Sequence, residues 1–241
     1  MLKIIKVKSE ILLRKIGARM GFDFKMTDEE RMILLLKHYN INLIFDVGAN
    51  TGQYAKELFS LGYKGRIISF EPLSDAYNIL KKSSNNNVNW EIAERCALGD
   101  VEEEVEINIT ENSVSSSLLD VLPEHTSAEP GSKIIGKEKV KVMKLDSISG
   151  KYLSQNSNTL LKIDTQGFEE KVLTGAKETL KKIKGVELEL SLVKLFEGQK
   201  LYLELIKLME NEGFMLHSVE PAFTDKKSGR LLQINGLFFK E

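Results

Sequence analysis

The sequence contains little that would staple, anchor or attach the chain to a charged polymer. Cysteine occurs once in 241 residues, at Cys96. One cysteine excludes a disulfide framework within the chain and fits a reducing compartment. Charge of one sign is not in excess: 34 Lys and Arg stand against 35 Asp and Glu, a formal net charge of −1. A nucleic-acid binder would show a basic surplus, so none is expected as a partner. No uncharged apolar run approaches the roughly 20 residues of a membrane span. At the start, Lys3, Lys6, Lys8, Glu10 and Arg14 interrupt any signal-peptide core. The expectation is a cytoplasmic protein. At 42% hydrophobic and 29% charged, the composition is that of a globular domain.

Two regions differ in character, an N-terminal helical segment over residues 1–40 and a main domain over 41–241. Within the first, Ile4, Val7 and Ile11, with Ile5, Leu12 and Ile16, fall at helical spacing among basic residues. Such an amphipathic helix packs on the main domain or a second subunit, or rests on an anionic membrane surface. Thr27 with Glu30 forms a capping-box pattern that opens a helix running to Tyr39.

From Leu43 short apolar runs alternate with amphipathic stretches. Strands are expected at 43–47, 66–70, within 89–98, at 159–163 and at 186–190. Helices are expected at 53–61, 75–83, 168–183 and 201–211. The stripe Phe168, Val172, Ala176, Leu180 spaces the third of these as one helix. The end reads as two strands, 214–219 and 231–239, joined by a turn. This rhythm predicts an α/β fold, a doubly wound Rossmann-like sheet, mostly parallel, with a C-terminal antiparallel hairpin. Residues 100–158 interrupt it. Half-exposed strands at 104–109 and 139–145 flank a Ser-, Glu-, Pro- and Gly-rich stretch at 110–136, read as an insertion over the site.

Four strands end in an acid: Asp46, Glu71, Asp164 and Glu189. In a parallel sheet these ends share the edge where ligands bind. The first strand–helix turn, Asp46-Val47-Gly48-Ala49-Asn50-Thr51-Gly52, departs from the dinucleotide pattern. Asn50 stands where that pattern has the glycine that lets a pyrophosphate approach. A nucleoside without phosphates is the alternative, and S-adenosylmethionine is such a ligand. Glu71, one βα unit later, is placed to accept bonds from both ribose hydroxyls, and Pro72 stops the strand. Glu187, Glu189 and Ser191 share one face of their strand and need partners or a ligand there.

These residues resemble a known family. The Asp46–Tyr54 turn, Phe70-Glu71-Pro72, Ala97-Leu98-Gly99 and Leu161-Lys162-Ile163-Asp164-Thr165-Gln166-Gly167-Phe168-Glu169 are similar to the FkbM family of S-adenosylmethionine-dependent methyltransferases. The closing Gln233-Ile234-Asn235-Gly236-Leu237-Phe238 is also similar, although the family more often has Asp at the position of Asn235. The resemblance implies a class I methyltransferase sheet of seven strands and methyl transfer to a hydroxyl oxygen, of a saccharide or other natural product. It implies Asp46, Gly48, Asn50 and Gly52 around the methionine part, Glu71 at the ribose, and Ala97 and Leu98 beside adenine. Tyr54 and Pro72 join the expected cofactor contacts, and Asp164 faces the methyl group and the acceptor.

Asp164 is the first candidate for the base that takes the acceptor proton and Glu189 the second. The same two carboxylates could instead hold a magnesium ion, although no spacing indicates a metal site. His125, in the insertion, is a further candidate base, and Ser115-Ser116-Ser117 are candidate acceptor contacts. His217, Cys96 and Trp90 read as structural. Two rival functions remain open: an NAD or nucleotide-sugar oxidoreductase on a similar sheet, and a cofactor-binding module without catalysis. The expected acceptor is a small molecule or glycan.

Overall fold

A computed structural model describes residues 26–241. The basic amphipathic helix expected within residues 1–25 lies outside the described residues. The capping box forms as its sequence dictates. Thr27 Oγ1 accepts from the Glu30 amide at 3.2 Å, and Glu30 Oε2 accepts from the Thr27 amide at 3.0 Å. It opens α1 (Asp28–His38).

Alternation of strand and helix then builds β1 (Leu43–Val47), α2 (Gln53–Ser60), β2 (Arg66–Phe70), α3 (Ser74–Ser84) and β3 (Trp90–Ile92). After an insertion come β7 (Thr159–Ile163), the short helices α6 (Glu169–Thr174) and α7 (Lys177–Leu180), β8 (Gly185–Ser191), α8 (Tyr202–Asn211), β9 (Met215–Thr224) and β10 (Leu231–Phe239). The seven strands lie in the order β3-β2-β1-β7-β8-β10-β9. β10 is antiparallel to both of its neighbours, and the remaining pairs are parallel. The architecture is therefore the mostly parallel, doubly wound sheet expected.

Both faces of the sheet are covered, which is why β1 is buried at all five positions. Alternate residues of the same strands feed two cores. Phe45, Ile68 and Leu161 meet Val172, Leu180 and Leu205 from α6 to α8 on one side. Ile44, Ile67 and Leu160 meet Met32, Ala55 and Leu80 from α1 to α3 on the other.

Between β3 and β7 the chain forms β4 (Ala97–Leu98), β5 (Glu104–Thr110), α4 (Pro123–Ala128), β6 (Ile134–Met143) and α5 (Leu145–Ile148). β4, β6 and β5 make a second, three-stranded sheet. The stretch expected to hold one strand at 89–98 is thus divided between two sheets.

The helix expected over 168–183 is also divided. Asp146 intrudes from α5, and its carboxylate accepts from the Glu178 amide at 3.0 Å and the Thr179 amide at 2.7 Å. That side chain caps a new helix where the apolar stripe alone predicts continuation. Among the described residues no helix is long and apolar enough to cross a membrane.

Candidate functional site

Strand order reverses between β1 and β7, and in open α/β sheets the crevice at such a reversal is the ligand site. A cavity of about 330 Å³ lies there. The turn after β1 forms one wall. Gly48 has φ +75, and a Cβ on it would lie 1.9 Å from the Asp164 carbonyl oxygen. Glycine is therefore required for this turn to lie against the end of β7. Gly48 and Ala49 both donate to the Phe70 carbonyl, which ties the turn to β2.

Asn50, also at positive φ, donates its amide to Glu71 Oε2 at 2.8 Å. Glu71 Oε1 accepts from the Leu73 amide at 2.8 Å. One buried carboxylate thereby joins the turns after β1 and β2. Burial pushes Glu71 up to about 7, although its two amide donors pull the other way.

Beneath the turn, strand register sets a row of polar side chains across the sheet: Ser69, Asp46, Lys162 and Glu187, each the Cα partner of the next. Trp90 donates its indole N–H to Ser69 Oγ, and Ser69 donates to Asp46 Oδ2, both at 3.0 Å. Asp46 Oδ1 pairs with Lys162 Nζ at 3.2 Å. That ammonium also lies 3.6 Å from Asp164 Oδ2 and 5.3 Å from the centre of the Tyr54 ring. Burial by itself would lower the Lys162 pKa. Asp46, Asp164 and Glu187 together overcome it and hold the side chain charged. Tyr54 donates to Glu187 Oε2 at 2.5 Å. Burial raises Glu187 to about 7, with the Tyr54 bond and Lys162 opposing.

At the end of β7, Gln166 Nε2 donates to Asp164 Oδ1 at 2.8 Å and to Glu189 Oε2 at 3.0 Å. Burial first, then the charges of Asp164 and Glu189's neighbour Glu169, push Glu189 well above the usual carboxylate range.

Of the residues singled out in the sequence, Gly48, Asn50, Tyr54, Glu71, Pro72, Ala97, Leu98, Asp164 and Glu189 line this one cavity. Asp46 and Gly52 do not. Asp46 is fully buried below it, on Lys162 and Ser69. Gly52 opens α2 at φ +87, where a Cβ would lie 2.5 Å from the Trp90 ring, so the packing there requires glycine. His125 sits away from the cavity, with its ring against Phe196 and Phe223. Ser116 and Ser117 of the insertion reach the cavity, and Ser115 does not line it.

Lys162, Gln166 and Asn235 also line the cavity, although the sequence reading gave them no role of their own. Lys162 left a signal: a lysine inside the otherwise apolar run Thr159-Leu160-Leu161-Lys162-Ile163 must have a buried counter-charge. The lining carries the acids Glu57, Glu71, Asp164, Glu187 and Glu189. Its basic side chains, among the described residues, come down to Lys162. Among the same residues no group of three or more His, Cys, Asp or Glu side chains is arranged to hold a metal ion.

Such a cavity fits an adenosine bearing a cationic amino-acid tail. Its lining joins apolar Ala97 and Leu98 with buried Glu71 and the acids Glu57, Asp164, Glu187 and Glu189. Solved structures similar to this chain include three methyltransferases. Precorrin-6y C5,15-methyltransferase from Geobacter metallireducens is 12% identical, with 90% of each chain covered and a TM-score of 0.43. A SAM-dependent methyltransferase from Aquifex aeolicus is 13% identical, covering 88% of this chain and 89% of that one, TM-score 0.42. The 1,6-didemethyltoxoflavin-N1-methyltransferase of Burkholderia thailandensis is 13% identical, covering 97% and 87%, TM-score 0.45. No curated protein matches the sequence. Residues 46–216, well over half of the chain, match the methyltransferase FkbM domain, and the chain belongs to the FkbM family of S-adenosylmethionine-dependent methyltransferases.

Proposed function

We propose that this protein moves the methyl group of S-adenosylmethionine to a hydroxyl oxygen of a small polyhydroxylated acceptor, such as a saccharide. The observation that carries the reading is the acid-rich lining of the cavity: five acidic side chains and, among the described residues, one lysine, itself paired with a buried aspartate. A sulfonium and an α-ammonium are favoured there. A pyrophosphate is repelled, which weighs against a dinucleotide and hence against an NAD or nucleotide-sugar oxidoreductase.

Glu71 holds the ribose. A carboxylate has about four acceptor positions, two of which are taken by the Asn50 and Leu73 amides, leaving two for vicinal hydroxyls. Ala97 and Leu98 flank the adenine, and the Gly48–Asn50 turn meets the methionine part. The bound donor supplies an activated methyl group on a good leaving group.

The protein's own residues then have two tasks. One is alignment: holding acceptor oxygen, methyl carbon and sulfur in line is worth about 7–11 kcal/mol in favourable cases. The other is the proton. As the oxygen–carbon bond forms and the carbon–sulfur bond breaks, sulfur keeps the electron pair as a neutral thioether. Asp164, the more open carboxylate, takes the acceptor's proton. Glu189 beside it is pushed well above the usual carboxylate range by burial and by the charge of Asp164. Ser116 and Ser117 bring the insertion to the acceptor side.

Isothermal calorimetry with S-adenosylhomocysteine and with NAD tests the donor. Micromolar binding of the first and none of the second is expected, and the reverse result removes the reading. Methyl-labelled donor offered with a panel of saccharides then tests the acceptor, and label on a nitrogen or carbon would overturn O-methylation. Donor binding without label on any acceptor would point to a non-catalytic module.

A further inference from the structure

Gln166 is held from every side, which is more constraint than a loop glutamine needs. Its backbone has φ +55, in the left-handed region that side-chain-bearing residues rarely adopt. Its neighbours' amides, those of Thr165 and Gly167, both donate to Glu169 Oε1 at 3.1 Å. Its own carbonyl accepts from Ser117 Oγ of the insertion at 2.7 Å. The outcome of this bracing is one side-chain nitrogen. Nε2 carries two hydrogens, and each goes to a different carboxylate, Asp164 Oδ1 and Glu189 Oε2.

We propose that Gln166 is the positioning residue of the reaction: its amide clamps Asp164 and Glu189 as a pair, fixes the rotamer of Asp164 towards the acceptor, and links that pair to the insertion through Ser117. This rests on the reading of Asp164 as the proton acceptor. The clamp has a directional consequence. Because Nε2 only donates, it favours the ionised form of whichever carboxylate it touches. It therefore offsets part of the repulsion that two acids impose on each other. The other groups facing the pair are Lys162 from β7, Glu169 from α6 and Gln233 from β10. Lys162 Nζ lies 3.6 Å from Asp164 Oδ2, the oxygen that the Gln166 amide leaves free.

The test uses the full chain, carboxyl-¹³C-labelled, as wild type, Gln166→Leu and Gln166→Glu. In Gln166→Leu both carboxyls lose a donor, and Glu189 should titrate about one unit higher than in the wild type, a tenfold change in proton affinity. S-adenosylhomocysteine affinity should change less than about threefold, while labelled methyl transfer, where an acceptor is in hand, falls about tenfold or more. In Gln166→Glu the added charge should depress transfer further near about pH 8. Partial recovery is expected near about pH 5.5, where the new carboxyl is protonated and donates again.

Carboxyl titrations of a folded variant that overlay the wild type would overturn the clamp. So would equal losses of cofactor affinity and transfer, which mark a merely structural residue. If Gln166→Leu does not fold, Gln166→Met, which also lacks the donor and adds no charge, carries the same titration readout. Failure of the methyltransferase reading itself would show as wild type that does not bind S-adenosylhomocysteine, a separate result from the titration.

Discussion

Lys162 shows how one side chain holds the site and the fold at once. It stands in the sheet between Asp46 and Glu187 and reaches Asp164 at the cavity floor. A buried ion pair contributes little net stability over an apolar replacement, yet removing one partner leaves an uncompensated charge and costs about 3–5 kcal/mol. Lys162→Met should therefore lower unfolding free energy by about that much in urea titrations, because Asp46 keeps only Ser69. Replacing both, Lys162→Met with Asp46→Asn, should recover part of the loss. A double variant no more stable than the single one would show that the lysine's role is not to neutralise Asp46.

Between residues and the whole lies the element, and the divided helix is the instructive case. Its break depends on Asp146, which caps α7 through two amides and the Thr179 hydroxyl. Asp146→Ala should cost about 1 kcal/mol, within the usual range for a lost cap, with S-adenosylhomocysteine affinity unchanged. A larger fall in affinity than in stability would mean that α7 shapes the cavity. The break could not be read from the apolar stripe, because the capping carboxylate comes from more than thirty residues earlier. By contrast, α1 was legible because both halves of its capping box lie within four residues. The strands were legible because a doubly covered sheet demands continuous apolar runs. For the site, the strand-end acids and the Gly48 turn could be read locally. The row from Ser69 to Glu187 could not, because it exists only once strand register is set. Nor could the clamp at Gln166, which depends on a left-handed backbone at a residue other than glycine.

Across the whole molecule, buried titratable groups set opposing slopes of stability against pH. Glu71, Glu169 and Glu187 are each raised to about 7 in the fold, mainly by burial, from an ordinary value of 4.5. Between those limits the folded state holds more protons than the unfolded one, so these acids make stability fall as pH rises. His125 acts in the other direction. Its ring is buried against Phe196 and Phe223, Nδ1 has no partner, and burial lowers it to about 4 from 6.5 despite the charge of Glu129. The unfolded chain therefore binds a proton that the folded chain refuses between about pH 6.5 and 4, and stability drains away as pH falls through that window. At about pH 5 the refusal costs about 2 kcal/mol, at 1.36 kcal/mol per unit. His125→Leu removes this proton site while keeping an apolar body between the two phenyl rings. Urea unfolding at about pH 7.5, 6 and 5 should show the variant gaining on the wild type at each step down, by about 2 kcal/mol in all. A gap between the two proteins that stays constant with pH would mean that His125 is protonated in the fold, and that the α4 region accommodates the charge.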